Sequence, residues 1–278
     1  MGNSYQFDIG NTRCVAINDG DYVGNADMLF ANAPEEELLP ALSKYGLNRD
    51  HLPSTWTCLL VKTASNLALV DTGVGAGGEY GGQLLPMLRA RGYQPEDIDT
   101  VILTHAHPDH IGGCVDSVGN ATFSEATYYM WRDEWEFWTD EESLKRVPDW
   151  AAEFARQKLP AIAHQLETIN DEIEIVPGIR ALPAPGHTIG HMAVEIASNG
   201  EFLLNIADTA LHPLQVEYPE WYARLDQFPD QTEISRRAIY ARAAARNALV
   251  LGFHFHPFPS LGRITGLESN WKWQPLTE

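Results

Sequence analysis

The sequence predicts an α+β fold in a single domain, residues 1–278, and three observations predict it. Short β-branched or apolar runs, bounded by glycine, proline and asparagine, are interspersed with stretches of helical character. No Pro/Ser-rich linker or break in composition divides the 278 residues. At His105, His187, Asp208 and His254 an expected strand ends and a ligand-type residue follows within a few positions. Loops at strand ends are where a rigid sheet can hold reactive side chains still.

In order, residues 13–17 read as a first strand, closed by a turn at Asn18-Asp19-Gly20. Residues 35–44 read as a helix, since Pro34 can start one and Gly46 can end it. Two apolar runs, 56–62 and 67–70, flank the polar Ala64-Ser65-Asn66 and suggest a hairpin that leads into Asp71-Thr72-Gly73. The glycine-rich stretch 73–82 lacks the Lys-Ser/Thr of a phosphate-binding loop, and a helix over 84–91 follows. Residues 101–103 and 127–130 read as strands. Residues 131–150 then hold Trp131, Trp135, Phe137, Trp138 and Trp150. That segment is either an amphipathic helix burying its aromatics or a cap over an apolar pocket, and the cap is placed at 131–165. A helix over 150–167 is interrupted near Pro160. Strands follow at 172–176 and 179–182, around Pro177-Gly178, and at 201–206. An Ala- and Arg-rich helix spans 231–246, and a last buried strand, 248–251, precedes Gly252-Phe253-His254-Phe255-His256.

Composition bounds the function. With 44% apolar residues the chain can fill a core, and it holds no apolar run long enough to span a membrane. The N-terminus lacks the basic and apolar regions of a secretory signal, and Gln6 stands where a myristoylation motif needs Ser or Thr. Cys14, Cys58 and Cys114 are odd in number and scattered, which fits reduced thiols and a cytoplasmic location. A formal charge of −19 opposes a nucleic-acid partner and weighs against polyanionic substrates. The expected partner is a small hydrophobic molecule, not a nucleic acid or a membrane. A homodimer is compatible with the sequence.

The chemistry concentrates in Val101–Gly113, VILTHAHPDHIGG, where His105, His107, Asp109 and His110 occupy six residues. Pro108 biases His107 toward an extended backbone, so His105 and His107 face the same way. Gly112 and Gly113 give the chain freedom to turn. Imidazoles with a carboxylate and no thiolate suit a borderline divalent ion such as zinc in an open site; manganese, cobalt and iron are also compatible. Four ligands would crowd one ion but serve two.

HxHxDH after an apolar strand resembles the metallo-β-lactamase superfamily of metal-dependent hydrolases. The likeness extends through Asp71-Thr72-Gly73, Gly186-His187-Thr188-Ile189-Gly190-His191, the lone Asp208 and a late histidine, in that order. It implies a four-layer αβ/βα sandwich, two mixed sheets facing each other with helices outside. It also implies that His105, His107 and His187 hold one metal, that Asp109, His110 and His254 hold a second, and that Asp208 bridges both. Asp71, Gly73 and His191 would support the loops. The segment from Phe253 to Gly262 resembles the methyl parathion hydrolase-like group, where a ligand histidine stands shortly before Pro-Phe-Pro. The spacing is one residue longer if His254 is the ligand and one shorter if it is His256. His254, first after the strand, is favoured, which leaves His256 to the pocket. Relatives usually carry Gly where Ala207 stands here. Quorum-quenching lactonases of the superfamily carry a Tyr where this chain has Leu211, a departure from the acyl-homoserine lactonase pattern.

The resulting expectation is a binuclear hydrolase acting on a hydrophobic ester, lactone or phosphotriester. Water bridging two ions about 3.5–4 Å apart would be deprotonated near neutral pH, and Asp208 or Asp109 would pass a proton to the leaving group. Trp56, Trp131, Trp135, Leu211, Phe228, His256 and Phe258 are the pocket candidates. The rival readings are a β-lactamase-type amide hydrolase, an iron-dependent oxidoreductase on the same scaffold, and a module that binds metal without catalysis.

Overall fold

Two seven-stranded sheets are formed by the described residues. The first takes β1 (Ser4–Ile9), β2 (Thr12–Gly24), β3 (Leu52–Lys62), β4 (Leu67–Val70), β5 (Thr100–Ile102), β6 (Thr127–Trp131) and β7 (Leu166–Ile169) in spatial order. The second takes β8 (Ile173–Val176), β9 (Ile179–Pro183), β10 (Met192–Ser198), β11 (Glu201–Ala207), β12 (Leu249–Gly252), β13 (Leu261–Thr265) and β14 (Lys272–Pro275), again in order. Both are mixed: β4 to β7 pair in parallel and β1 to β4 antiparallel, while in the second sheet β11 and β12 are the parallel pair. The computed structural model describes residues 2–76, 81–267 and 270–276; part of the glycine-rich stretch 73–82 therefore lies outside the described residues.

Alternation along the strands explains the layering. Leu67 and Leu69 of β4 join the core under the helices Leu84–Ala90 and Asp149–Ile162, while Ala68 and Val70 face the other sheet. Leu59, Val61 and Ile102 meet Val194, Ile196, Leu203 and Leu251 across that inter-sheet core. On the far side, helix Pro229–Ala245 packs Ile239, Tyr240 and Ala243 against Leu204, Ile206 and Val250. The result is helix, sheet, sheet, helix, the four-layer αβ/βα sandwich. Strands buried on both faces read as unbroken apolar runs, which made β4, β5 and β12 legible.

Several elements differ from the sequence reading. Asn18-Asp19-Gly20 is a bulge within the long strand β2, not a turn. It persists because Asn18 Oδ1 accepts from the Gly20 amide, while the Asp19 carboxylate accepts from the amides of Val74 and Leu84 at 2.9 and 2.7 Å. The helix expected to 167 ends at Ile162, and the chain returns as edge strand β7. Strands β1, β10, β13 and β14 add to those anticipated. Cys14, Cys58 and Cys114 are buried and unpaired with one another. Among the described residues, no helix is long and apolar enough to cross a membrane.

Candidate metal centre

Seven ligand-type side chains meet at one edge of the sandwich, each delivered from the end of a strand. His105 and His107 follow β5, and Asp109 and His110 occupy the short helical turn Pro108–Ile111. His187 lies between β9 and β10, Asp208 directly follows β11, and His254 follows β12. His107 has φ −73° and ψ 153°, the extended backbone that Pro108 favours. Gly112 and Gly113 owe their identity to close approach: a Cβ at Gly113 would lie 2.1 Å from the Thr72 carbonyl oxygen, and one at Gly112 would lie 2.3 Å from that of Val74. Ala207 sits in the left-handed region at φ 42°, which explains why Gly suits the position before Asp208.

The side chains fall into two groups. Ligand atoms of His105, His107, His187 and Asp208 lie within 4.8 Å of one another, and so do those of Asp109, His110 and His254. Asp208 stands between them. Its Oδ2 lies 3.2 Å from His187 Nε2, 3.6 Å from His105 Nε2 and 3.3 Å from His254 Nε2, while its Oδ1 lies 3.3 Å from His110 Nε2. His254 Nε2 is also 3.4 Å from Asp109 Oδ2. His254 is therefore in the cluster, whereas His256 is exposed and outside it.

Two of the five ligand imidazoles, His110 and His187, are held from behind by carboxylates. His110 Nδ1 pairs with Asp71 Oδ2 at 2.9 Å, and Asp71 Oδ1 accepts from the Thr104 amide at 2.8 Å. His187 Nδ1 pairs with Asp226 Oδ1 at 2.8 Å, and the other Asp226 oxygen accepts from the Ala223 amide. The buried Arg236 stands behind Asp226, 3.9 Å from its Oδ2. His191 accepts from the Asp208 amide through Nε2, so its Nδ1 donates to the Ala184 carbonyl; both nitrogens are committed to the loop. Gly73, at φ 67°, packs against the Asp19 carboxylate. Buried Glu134 accepts from the amides of Ala106 and Gly190, both at 2.9 Å, and from Trp138 Nε1 at 2.8 Å. It thereby joins the two histidine loops. Asp226 and Glu134 belong to no motif, and sequence reasoning missed both.

The donor set fits divalent metal. His105 Nε2, His110 Nε2 and Asp208 Oδ1 are buried without a hydrogen-bond partner, and a polar atom left so costs about 1–3 kcal/mol. Burial, followed by neighbouring imidazoles, holds His105 and His107 well below the ordinary histidine value. Both are neutral, with lone pairs to offer. Burial pushes His187 down as well, but its hydrogen bonds with Asp208 and Asp226 lift it to about 9. Burial raises Asp208, but His254 and His110 outweigh that and hold its carboxyl well below the usual range.

A cavity of about 440 Å³ opens over the cluster, with Trp56, Leu211, Leu29 and Tyr22 in its walls and His107, Asp109, Asp208 and His254 on its floor. Tyr22 stacks on Trp56 at 5.4 Å and meets His254 edge-on at 5.8 Å. The turn expected at Asn18-Asp19-Gly20 ends the first strand before Tyr22, so sequence reasoning misses this residue. Phe228 lines a neighbouring cavity instead. Trp131 is buried between the sheets, Phe258 packs against that same core, and Trp135 packs under the outer helices. None of these three, nor His256, lines either cavity.

A family model described as the metallo-beta-lactamase superfamily matches residues 56–252. An N-acyl homoserine lactonase of Bacillus cereus is 29% identical over 172 residues, which cover 54% of this chain and 62% of that protein. The match thus spans less than two thirds of the curated relative. The structure of AbOPH, described as a hydrolase in the beta lactamase superfamily, superposes with a TM-score of 0.90 at 27% identity, covering 100% of this chain and 99% of its own. AidC, described as a dizinc quorum-quenching lactonase, superposes with a TM-score of 0.88 at 26% identity, covering 99% and 98%.

Proposed function

The chain belongs to the metallo-β-lactamase superfamily, and from that premise we propose that it is a two-metal hydrolase of hydrophobic lactones or esters. One observation carries the reading: seven ligand-type side chains converge on buried, unpartnered nitrogen and oxygen atoms beneath a largely apolar cavity. His105, His107 and His187 would hold one ion, Asp109, His110 and His254 the other, and Asp208 would bridge them. Asp208 supports that assignment by its position between the groups, with Oδ2 near His105, His187 and His254 and Oδ1 near His110. The donor set and the likeness to a dizinc lactonase favour zinc. Such ions supply Lewis acidity toward a carbonyl oxygen and acidify water.

The chain's own residues do the rest. Asp71 and Asp226 fix the orientation of His110 and His187, and Glu134 sets the distance between their loops. Trp56, Leu211 and Leu29 exclude bulk water from the reacting group. Both oxygens of Asp208 face imidazoles, whereas the Asp109 side chain keeps 22% of its surface exposed. Asp109 is thus the better placed to carry a proton to the leaving oxygen, with Asp208 held in place by four histidines. Residues 1–278 form one domain in this reading, and 131–165 cap the site, with Trp150 at the cavity mouth.

The names of the similar proteins favour a lactone. Leu211 in the cavity wall, in place of a hydrogen-bonding side chain, keeps an aryl phosphotriester as the second reading. The test is kcat/KM of the zinc-loaded protein on a hydrophobic γ-lactone and an aryl phosphotriester, beside a metal-stripped control. Metal-dependent turnover led by the lactone is expected. A lead for the phosphotriester would move the reading to the methyl parathion hydrolase-like group, and metal-independent or absent turnover would overturn it.

A further inference from the structure

A second cavity of about 410 Å³ adjoins the first. His107, Trp150 and Leu225 line both, so the two are lobes of one site with Trp150 and Leu225 at their junction. The lobes differ in chemistry. The first holds four of the seven cluster residues on its floor, whereas the second touches the cluster only through His107. Its walls are aromatic, with Phe137, Trp138, Trp150 and Phe228, and its lining includes two exposed arginines, Arg146 and Arg224. The Asp226 carboxylate also lines this lobe, but its oxygens are engaged by His187 Nδ1 at 2.8 Å and the Ala223 amide at 2.9 Å. Arg224 is anchored by one bond, from Nε to the Asp27 carbonyl at 2.8 Å, and a guanidinium has four further N–H donors. In a chain with a net charge of −19, two arginines in the lining of an apolar lobe are a local reversal of sign.

We propose that the outer lobe is an accessory subsite for an anionic aromatic arm of the substrate, with the scissile group lying over the cluster in the neighbouring lobe. The proposal rests on the hydrolase reading above. Guanidinium groups bind carboxylates through paired, charge-assisted hydrogen bonds, and the aromatic walls accept the arene that carries the acid. The substrate class is therefore an ester or lactone that is neutral at the reacting carbonyl and bears a carboxylate on a distal aryl group.

The test compares two esters with the same acyl group, 4-(carboxymethyl)phenyl hexanoate and 4-(carbamoylmethyl)phenyl hexanoate, on the zinc-loaded protein. The acid is expected to lead in kcat/KM by roughly five- to tenfold, mainly through KM, a size set by partly solvated charge pairs. In the Arg146→Met/Arg224→Met variant, which keeps the apolar stems, the ratio should fall to one or below. Binding of 4-hydroxyphenylacetate, followed by tryptophan fluorescence, reads the subsite without turnover and should weaken in the same variant. A wild-type ratio at or below one, or an unchanged ratio and affinity in a variant with wild-type melting temperature, would overturn the proposal. If neither ester is hydrolysed but 4-hydroxyphenylacetate binds in an arginine-dependent way, the subsite stands and the hydrolase reading falls.

Discussion

Two fully buried carboxylates, Glu134 and Asp208, lie at the same edge of the sandwich and have opposite surroundings. Glu134 is 0% exposed, and its oxygens accept from two backbone amides and an indole. Burial raises its pKa, and those hydrogen bonds only partly counter the rise. Asp208 is also buried, but it faces four imidazoles and keeps one oxygen without a partner. The difference separates frame from site. A buried acid answered by fixed N–H donors holds loops together, whereas one that shares unsatisfied atoms with a ring of imidazoles is arranged for something not made of protein.

The largest effect should come from breaking the Asp208 side of the comparison. Asp208→Ala, or His107→Ala, should release metal and lower kcat/KM by roughly a thousandfold or more, since several kcal/mol of charge stabilisation goes with the ions. Metal content by elemental analysis and activity should fall together; a variant that kept both would refute the ligand assignment. Asp226→Asn comes next. It retains shape but loses the charge that orients His187, and such outer partners are worth about 10–100-fold in metal affinity or activity. Zinc dissociation measured with a competing chelator should speed up, and wild-type metal affinity would reduce Asp226 to a loop anchor.

Glu134→Gln tests the frame side. The new amide group would turn N–H donors toward the N–H donors of Ala106, Gly190 or Trp138, which costs about 1–3 kcal/mol of stability. Denaturant unfolding should show that loss while the folded variant still binds two ions per chain. If instead the variant kept wild-type stability and lost metal, the separation of frame from site would fail.

What the sequence made legible follows the same division. A strand buried on both faces must be continuous and apolar, so β4, β5 and β12 could be read, and the histidines and Asp208 that follow such strands could be read with them. β10 escaped because a glutamate sits at its centre; Glu195 is buried there, 2.8 Å from Arg242 on the helix that covers the sheet. β7 and β14 are edge strands with mixed patterns whose pairing is set by tertiary neighbours. Asp226 lies 39 residues from His187 and reaches it only when the chain is folded. The aromatic run 131–150 divides by depth. Trp131 and Trp138 are buried, while Trp150 stands 59% exposed at the junction of the two lobes, and no periodicity separates those fates.

A third carboxylate extends the comparison to the rim, where the smallest effect is expected. Glu217 is met by Lys44 at 2.9 Å, by Lys272 at 3.2 Å and by the Tyr45 hydroxyl, which ties helix Glu35–Lys44 to β14. Partial burial pushes its carboxyl up, but hydrogen bonds from Tyr45, Lys44 and Lys272 outweigh that and lower it below the usual glutamate range. A depressed acid contributes stability above its unfolded value, about 4.3, and loses it as pH falls through the lower folded value. Both lysines are about half exposed, so solvent screening limits the contribution to about 1 kcal/mol or less. Glu217→Gln should therefore be slightly less stable than wild type at pH 7, and the gap should close as the pH drops below about 4. A gap that persisted in acid would assign the contribution to packing and neutral hydrogen bonding instead. Glu217 would then hold its elements together as Glu134 does, by shape and donors, with charge incidental.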